Sequence, residues 1–231
     1  MDNVTKELNK IIGSVKFYIE LEREAGIEEF FLKDNLSASG GGGSPARDLD
    51  SLRLEISQCT SCDLCKTRRN VVFGSGNPKA SLIFIGEAPG QEEDIQGLPF
   101  VGRAGQLLTK IIEAMDLKRQ DVYIANVLKC RPPNNRAPLP TEILACAENV
   151  RRQVEMINPK VICALGKFAS QTLLKTERPI SSLRGIFQEY NGIPVMPTFH
   201  PAYLLRNPQD KKLVWEDMKK VMKCLNSPKL P

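Results

Sequence analysis

Residues 81–102 read SLIFIGEAPGQEEDIQGLPFVG. The compact apolar run Ser81–Ile85 is broken by glycine, proline and four carboxylates, Glu87, Glu92, Glu93 and Asp94. An apolar run of this length, ended by turn residues, predicts a buried strand opening into a loop at its carboxyl end. Four like charges repel one another on so short a loop. It is either a solvated acidic turn or a loop that uses its carboxylates.

Outward from this stretch the chain alternates. Further strands are predicted at Val122–Leu128, Val161–Leu165 and Pro194–Thr198. Helical periodicity is read at Ala104–Met115, Thr141–Ile157, Lys167–Leu174 and Asp210–Leu225, with a short helix at Leu49–Ser57. Strand–helix alternation at this spacing implies right-handed crossovers. The expected fold is a three-layer α/β/α domain with a mostly parallel central sheet. In such sheets ligands bind beyond the carboxyl ends of the strands. That edge would gather the loop after Ile85, Asn126, Gly166 and His200, the only histidine in the chain. The convergence of independent strand ends is a stronger signal than any one of these residues.

With 231 residues, the chain is long enough for one sizeable domain and an appendage. Residues 3–32 show helical periodicity (Leu8, Ile11, Ile12, Val15), and residues 36–47 read as a flexible Gly/Ser linker. The division expected is a helical appendage at 1–35, a linker at 36–47 and a main domain at 48–231. The appendage is either a docked helix or a handle for an unknown protein partner. Residues 1–47 hold 6 basic and 8 acidic side chains, and residues 48–231 hold 26 and 19. The main domain is thus the basic part, which suits a polyanion. No run approaches the roughly 20 apolar residues of a membrane span, and the first residues lack a secretion-signal layout. A cytoplasmic monomer is expected. Seven cysteines, an odd number, argue against a disulfide framework. Cys59 and Cys62 are spaced to share one metal centre, and Cys130 and Cys146 could complete a set of four. Cys163 and Cys224 read as packing residues.

The chain resembles the family 4 uracil-DNA glycosylases, iron–sulfur members of the uracil-DNA glycosylase superfamily. The matching segments are Cys59-Thr-Ser-Cys62, Gly86-Glu-Ala-Pro-Gly90, Glu93-Asp94, Pro99-Phe-Val-Gly102, Asn126, Lys129-Cys-Arg-Pro-Pro133, Cys146, Ala164-Leu-Gly166 and His200-Pro-Ala-Tyr-Leu-Leu-Arg206. They keep the family's order across roughly residues 55–225, and residues 1–50 lie outside the resemblance. It implies an enzyme that turns uracil out of DNA and hydrolyses its N-glycosidic bond without cutting the strand. The abasic product would start base-excision repair.

Extrusion is the means by which such enzymes reach a base inside a duplex. The resemblance gives Phe100 the stacking role against the extruded base. An amide at Asn126 can pair with the carbonyl and ring N–H of uracil, a pattern that cytosine lacks. Exclusion of thymine falls by resemblance to the acidic loop, with Glu93 as candidate. His200 and backbone N–H groups around Ala88 and Gly90 can stabilise charge on the departing base. Better-known relatives carry G-Q-D-P-Y, with aspartate where this chain has Ala88, so Glu87 or Glu93 must serve the sugar cation and the water. Leu204 and Leu205, expected in a loop, would wedge into the vacated stack. Arg206, Arg131, Arg136 and Lys167 would hold phosphates.

By resemblance Cys59, Cys62, Cys130 and Cys146 hold a 4Fe-4S cluster. Spacing alone leaves zinc open, and Cys65 is a spare thiol. The alternative to an enzyme is a non-catalytic iron–sulfur DNA-binding module, whose DNA function would survive His200→Ala and Asn126→Ala.

Overall fold

A computed structural model describes residues 48–227. The expected appendage at 1–35 and linker at 36–47 lie outside the described residues. Among those described, six strands form one sheet: β1 (Ser75–Gly76), β2 (Leu82–Gly86), β3 (Tyr123–Asn126), β4 (Val161–Leu165), β5 (Gln188–Tyr190) and β6 (Ile193–Thr198). Their order is β1-β3-β2-β4-β6-β5. The inner four are parallel, and β1 and β5 run antiparallel at the edges. The fold is therefore the α/β architecture expected, with a mixed sheet.

The inner strands form because both of their faces are covered. Every residue of β2, β3 and β4 is buried, which explains unbroken apolar runs in place of alternation. The pleat still sorts the side chains. Ile83, Ile85, Ile162 and Ala164 pack on one face with Val150 and Val154 of α4 (Pro140–Ile157) and Leu173 of α5 (Lys167–Leu174). Leu82, Phe84, Val161 and Cys163 pack on the other, with Leu108 and Ile112 of α3 (Arg103–Ala114) and Val214, Met218 and Val221 of α8 (Lys211–Leu225). Cys163 and Cys224 belong to this second layer, as packing residues should. α1 (Leu49–Ser57) buries Leu52 and Ile56 against Phe73 in a smaller cluster.

Three short helices were not expected. α2 (Gln91–Gln96) forms inside the acidic stretch, and α6 (Ile180–Leu183) precedes β5. α7 (Pro201–Arg206) replaces the loop expected after His200. Pro201 at its first position and the His200 ring, which accepts from the Ala202 N–H at 3.1 Å, start that helix. The acidic stretch is stable because its carboxylates are used locally. Asp94, 3 % exposed, accepts from the Arg69 N–H at 2.9 Å. Glu93 accepts from the Gly90 N–H at 3.1 Å at the start of α2.

Among the described residues, no helix is long and apolar enough to cross a membrane.

Candidate active site

The parallel strands deliver their carboxyl ends to one edge. Gly86 of β2 lies opposite Asn126 of β3, and Leu165 of β4 lies opposite Thr198 of β6, two residues before His200. At that edge is a cavity of about 470 Å³, lined by Glu87, Ala88, Gly90, Glu93, Phe100, Asn126, Arg136, His200 and Arg206, among others.

Two glycines make room for it. A Cβ on Gly86 would fall 2.4 Å from Asn126 Oδ1 and 2.5 Å from Phe100 Cζ. A Cβ on Gly166, whose φ is +88°, would fall 2.9 Å from His200 Cβ. Asn126 is 1 % exposed, and its Oδ1 has no hydrogen-bond partner among the described residues. A buried amide oxygen in that state costs free energy unless something outside the chain completes it.

Phe100 adopts φ +54°, an uncommon and strained conformation for a bulky residue. Its surroundings hold it there. Glu93 Oε1 accepts from the Val101 and Gly102 N–H groups, both at 2.9 Å, and Arg119 donates to the Pro99 carbonyl. The Phe100 ring centre then sits 5.5 Å from that of His200, at 32°.

His200 Nδ1 is an acceptor, so the neutral ring carries its proton on Nε2. Burial and the nearby Arg206 push its pKa down to about 4, against an opposing pull from Glu93. Burial raises the pKa of Glu87, and Lys167 partly offsets this. Glu87 thus has an open, basic carboxylate, whereas the Glu93 carboxylate is engaged by three backbone N–H groups. The Gly90 N–H is one of the three and is not free for a ligand, which leaves Ala88 as the candidate backbone donor of this loop.

The expected DNA contacts divide. Arg206 lines the cavity, and Leu205 is 38 % exposed beside it. Leu204 is 0 % exposed, within the second core layer, so it has no surface to offer as a wedge. Arg136 also lines the cavity, but its guanidinium grips Glu142 at 2.9 and 2.5 Å. A phosphate would have to compete with that pair. Arg131 bonds Asn135 Oδ1 at 2.8 Å on the exposed side of the same loop. Lys167 begins α5 and faces Glu87. Sequence reasoning passed over Tyr203, which lines the cavity and donates to Asp210 at 2.7 Å, and Arg119, which supports Phe100 from 19 positions away. Nothing in the sequence signals Arg119, because the bond that supports Phe100 is to a main-chain carbonyl and its other partner, Thr109 Oγ1, lies ten positions away.

A second recess is lined by Cys59, Cys62, Cys65, Arg68, Lys129, Cys130 and Cys146. The Cys62 thiol feels Cys146 and Cys59, and the Cys130 thiol feels Cys146 and Cys62. Cys62 and Cys146 thus connect Cys59 and Cys130 into one chain of neighbouring thiols around the recess. Cys65 also lines the recess and, like Cys59 and Cys130, acts on Arg68, but it does not figure among the thiols acting on Cys62 or Cys130. Two cationic side chains border the recess: Arg68, whose Nη1 donates to Cys130 Sγ at 3.3 Å, and Lys129. Four soft donors flanked by positive charge fit an anionic metal–thiolate centre. Among the described residues no three His, Cys, Asp or Glu side chains are grouped closely enough to hold one metal ion.

Comparison with known proteins accords with this geometry. A model of the uracil DNA glycosylase superfamily matches residues 73–219. The type-4 uracil-DNA glycosylase of Saccharolobus solfataricus is 47% identical over 189 residues, 78% of this chain and 88% of the relative. That of Archaeoglobus fulgidus is 46% identical over 181 residues, 75% and 91% of the two chains. That of Thermotoga maritima is 47% identical over 169 residues, 71% and 88%. The chain belongs to the uracil-DNA glycosylase superfamily.

Proposed function

We propose that this chain is a DNA-repair enzyme of the type-4 kind, which turns uracil out of DNA and hydrolyses its N-glycosidic bond. The observation that carries the reading is the buried, unpartnered Oδ1 of Asn126, set in the same cavity as His200 and Phe100. The ring N–H of uracil completes that oxygen while the Asn126 NH₂ donates to the neighbouring carbonyl. Cytosine offers a lone pair and an amino group at those places, so it leaves both partners unmatched. Sites that reject a base through unpaired polar groups discriminate strongly.

Phe100 stacks on the extruded base, a contact worth about 1–3 kcal/mol. As the glycosidic bond lengthens, electrons pass to the base and its carbonyl oxygen gains negative charge. His200 Nε2–H donates to that oxygen, and such a preorganised donor is worth about 3–4 kcal/mol. Because the ring is already neutral, it needs no proton taken up or released to do so. Glu87 stabilises the sugar cation and takes a proton from the attacking water. Glu93 is a positioning residue. It holds the Gly90–Gly102 wall, and that wall crowds a methyl group on the base. Leu205 enters the vacated stack, Arg206 holds a phosphate, and Lys167 and Arg131 add positive charge nearby. Arg136 contributes to that field while it remains paired with Glu142.

The cysteine recess supports a 4Fe-4S cluster over a single zinc. Zinc draws four thiolates to one point, whereas these thiols surround a recess bordered by cations. Cys59 and Cys62 follow α1, Cys130 follows β3 and Cys146 lies in α4, so the centre would supply a tie between those elements. The enzyme acts in the cytoplasm as a monomer.

The test is incubation with a uracil-containing oligonucleotide followed by alkali. Cleavage at uracil, with none at cytosine or thymine controls, supports the reading. Full activity in both Asn126→Ala and His200→Ala would overturn the assigned roles.

A further inference from the structure

Lys129 stands out among the buried groups that the mechanism leaves unused. It is 1 % exposed, an unusual place for an ammonium. Among the described residues its hydrogen-bond acceptors are both neutral: the main-chain carbonyl of Asn126 at 2.7 Å and Gln153 Oε1 at 2.5 Å. Gln153, 0 % exposed, is anchored by donating to the Phe73 carbonyl at 2.9 Å. A buried cation without a carboxylate needs charge compensation from another source. The same side chain lines the cysteine recess beside Cys130 and Cys146.

We propose that Lys129 is a positioning residue shared by two centres: its ammonium is the internal counterion of the metal–thiolate centre, and the same ammonium pins the main chain of Asn126 for base reading. This rests on reading the recess as a cluster site. Four thiolates give such a centre a net negative charge, and Lys129 sits where that charge compensates it. One of its N–H groups meanwhile fixes the peptide that aims the Asn126 amide. Filling the recess therefore steadies the base-reading residue through one side chain. Lys129 touches neither base nor sugar.

Two variants of the holoprotein separate the two duties. Lys129→Met removes both charge and bond. Gln153→Glu sets a carboxylate against the ammonium, cancelling its charge while leaving the Asn126 bond; it also gives up the amide's donation to the Phe73 carbonyl, so a melting curve accompanies it to show that the protein is folded. The readouts are iron content, the midpoint potential of the cluster, and the affinity for free uracil measured as inhibition of excision. Lys129→Met should weaken uracil binding roughly 10-fold and lower the potential, because a nearby positive charge favours the reduced cluster. Gln153→Glu should lower the potential with uracil affinity within about 2-fold of wild type. If Lys129→Met does not fold, Gln153→Glu alone decides, and an unmoved potential overturns the proposal. Unchanged uracil affinity in a folded Lys129→Met also overturns it. Iron-free wild-type protein sinks the cluster reading and this inference together, whereas iron-loaded wild type with unmoved variants sinks this inference alone.

Discussion

Gly86→Ala probes the centre of the site with one methyl group. Gly86 is not held at positive φ, so alanine fits its backbone and the effect is crowding alone. The added Cβ would stand 2.4 Å from Asn126 Oδ1, with Phe100 Cζ at 2.5 Å and Cε2 at 2.8 Å. Ordinary contact needs about 3.5 Å, so the amide and the ring must each yield roughly 1 Å. Neither has an easy retreat. Asn126 is pinned through its carbonyl by Lys129, and Phe100 is fixed by its neighbours on the Pro99–Gly102 segment. Overpacking should cost about 1–3 kcal/mol of stability, which a marginal domain can survive. A displacement of 1 Å at reacting groups can cost about 100-fold in rate. Excision of uracil from an end-labelled oligonucleotide, read as kcat/KM beside a melting curve, should thus show a loss of about two orders of magnitude in folded protein. A folded Gly86→Ala within about 3-fold of wild type would refute the idea that Asn126 and Phe100 jointly grip the base.

Other perturbations address separate parts of the site. The rate should fall on the acid side as Glu87, whose pKa burial raises, gains a proton and can no longer accept one from water, while His200, with its pKa of about 4, should add no limb near neutrality; a pH–rate profile with a limb near 6.5 that vanishes in His200→Gln would contradict the depressed value. Folding stability should fall as pH drops from about 6.5 to about 4, because in that window the unfolded histidine binds a proton and the folded one does not; urea melts across pH 7 to 4 should show a shallower decline in His200→Gln. Leu204→Ala should lose about 2–5 kcal/mol of stability as a core truncation, whereas Leu205→Ala should melt like wild type and lose affinity for duplex DNA, by calorimetry and fluorescence anisotropy respectively. Cys130→Ala should lose iron and melt roughly 5–15 °C lower, checked by metal analysis and circular dichroism.

What could be read from the sequence was what burial on both faces dictates. β2 and β4 are continuous apolar runs because helices cover both sides, and their bounds came within one residue. β1 and β5 were passed over because half-exposed edge strands need no such run. α2 and α7 were hidden for another reason. Six-residue helices show little periodicity, and theirs depend on Glu93 and His200 turning inward to cap the backbone. The meeting of Asn126 and His200 followed from topology alone, whereas Phe100 joined them only through the family resemblance. The duties of individual charges did not. Glu93 and Arg136 looked available for chemistry in a string of letters, yet each is engaged by nearby groups, and only coordinates show a carboxylate held by three amides.

The left-handed backbone of Phe100 has a final consequence. The aromatic shelf is already in its working pose before any nucleotide arrives, held by contacts formed during folding. Binding then has little left to arrange, so selectivity resembles that of a rigid gauge more than a closing hand. Loosening this one residue should admit other bases before it slows the chemistry on uracil, and widened tolerance would be the first symptom of a weakened scaffold.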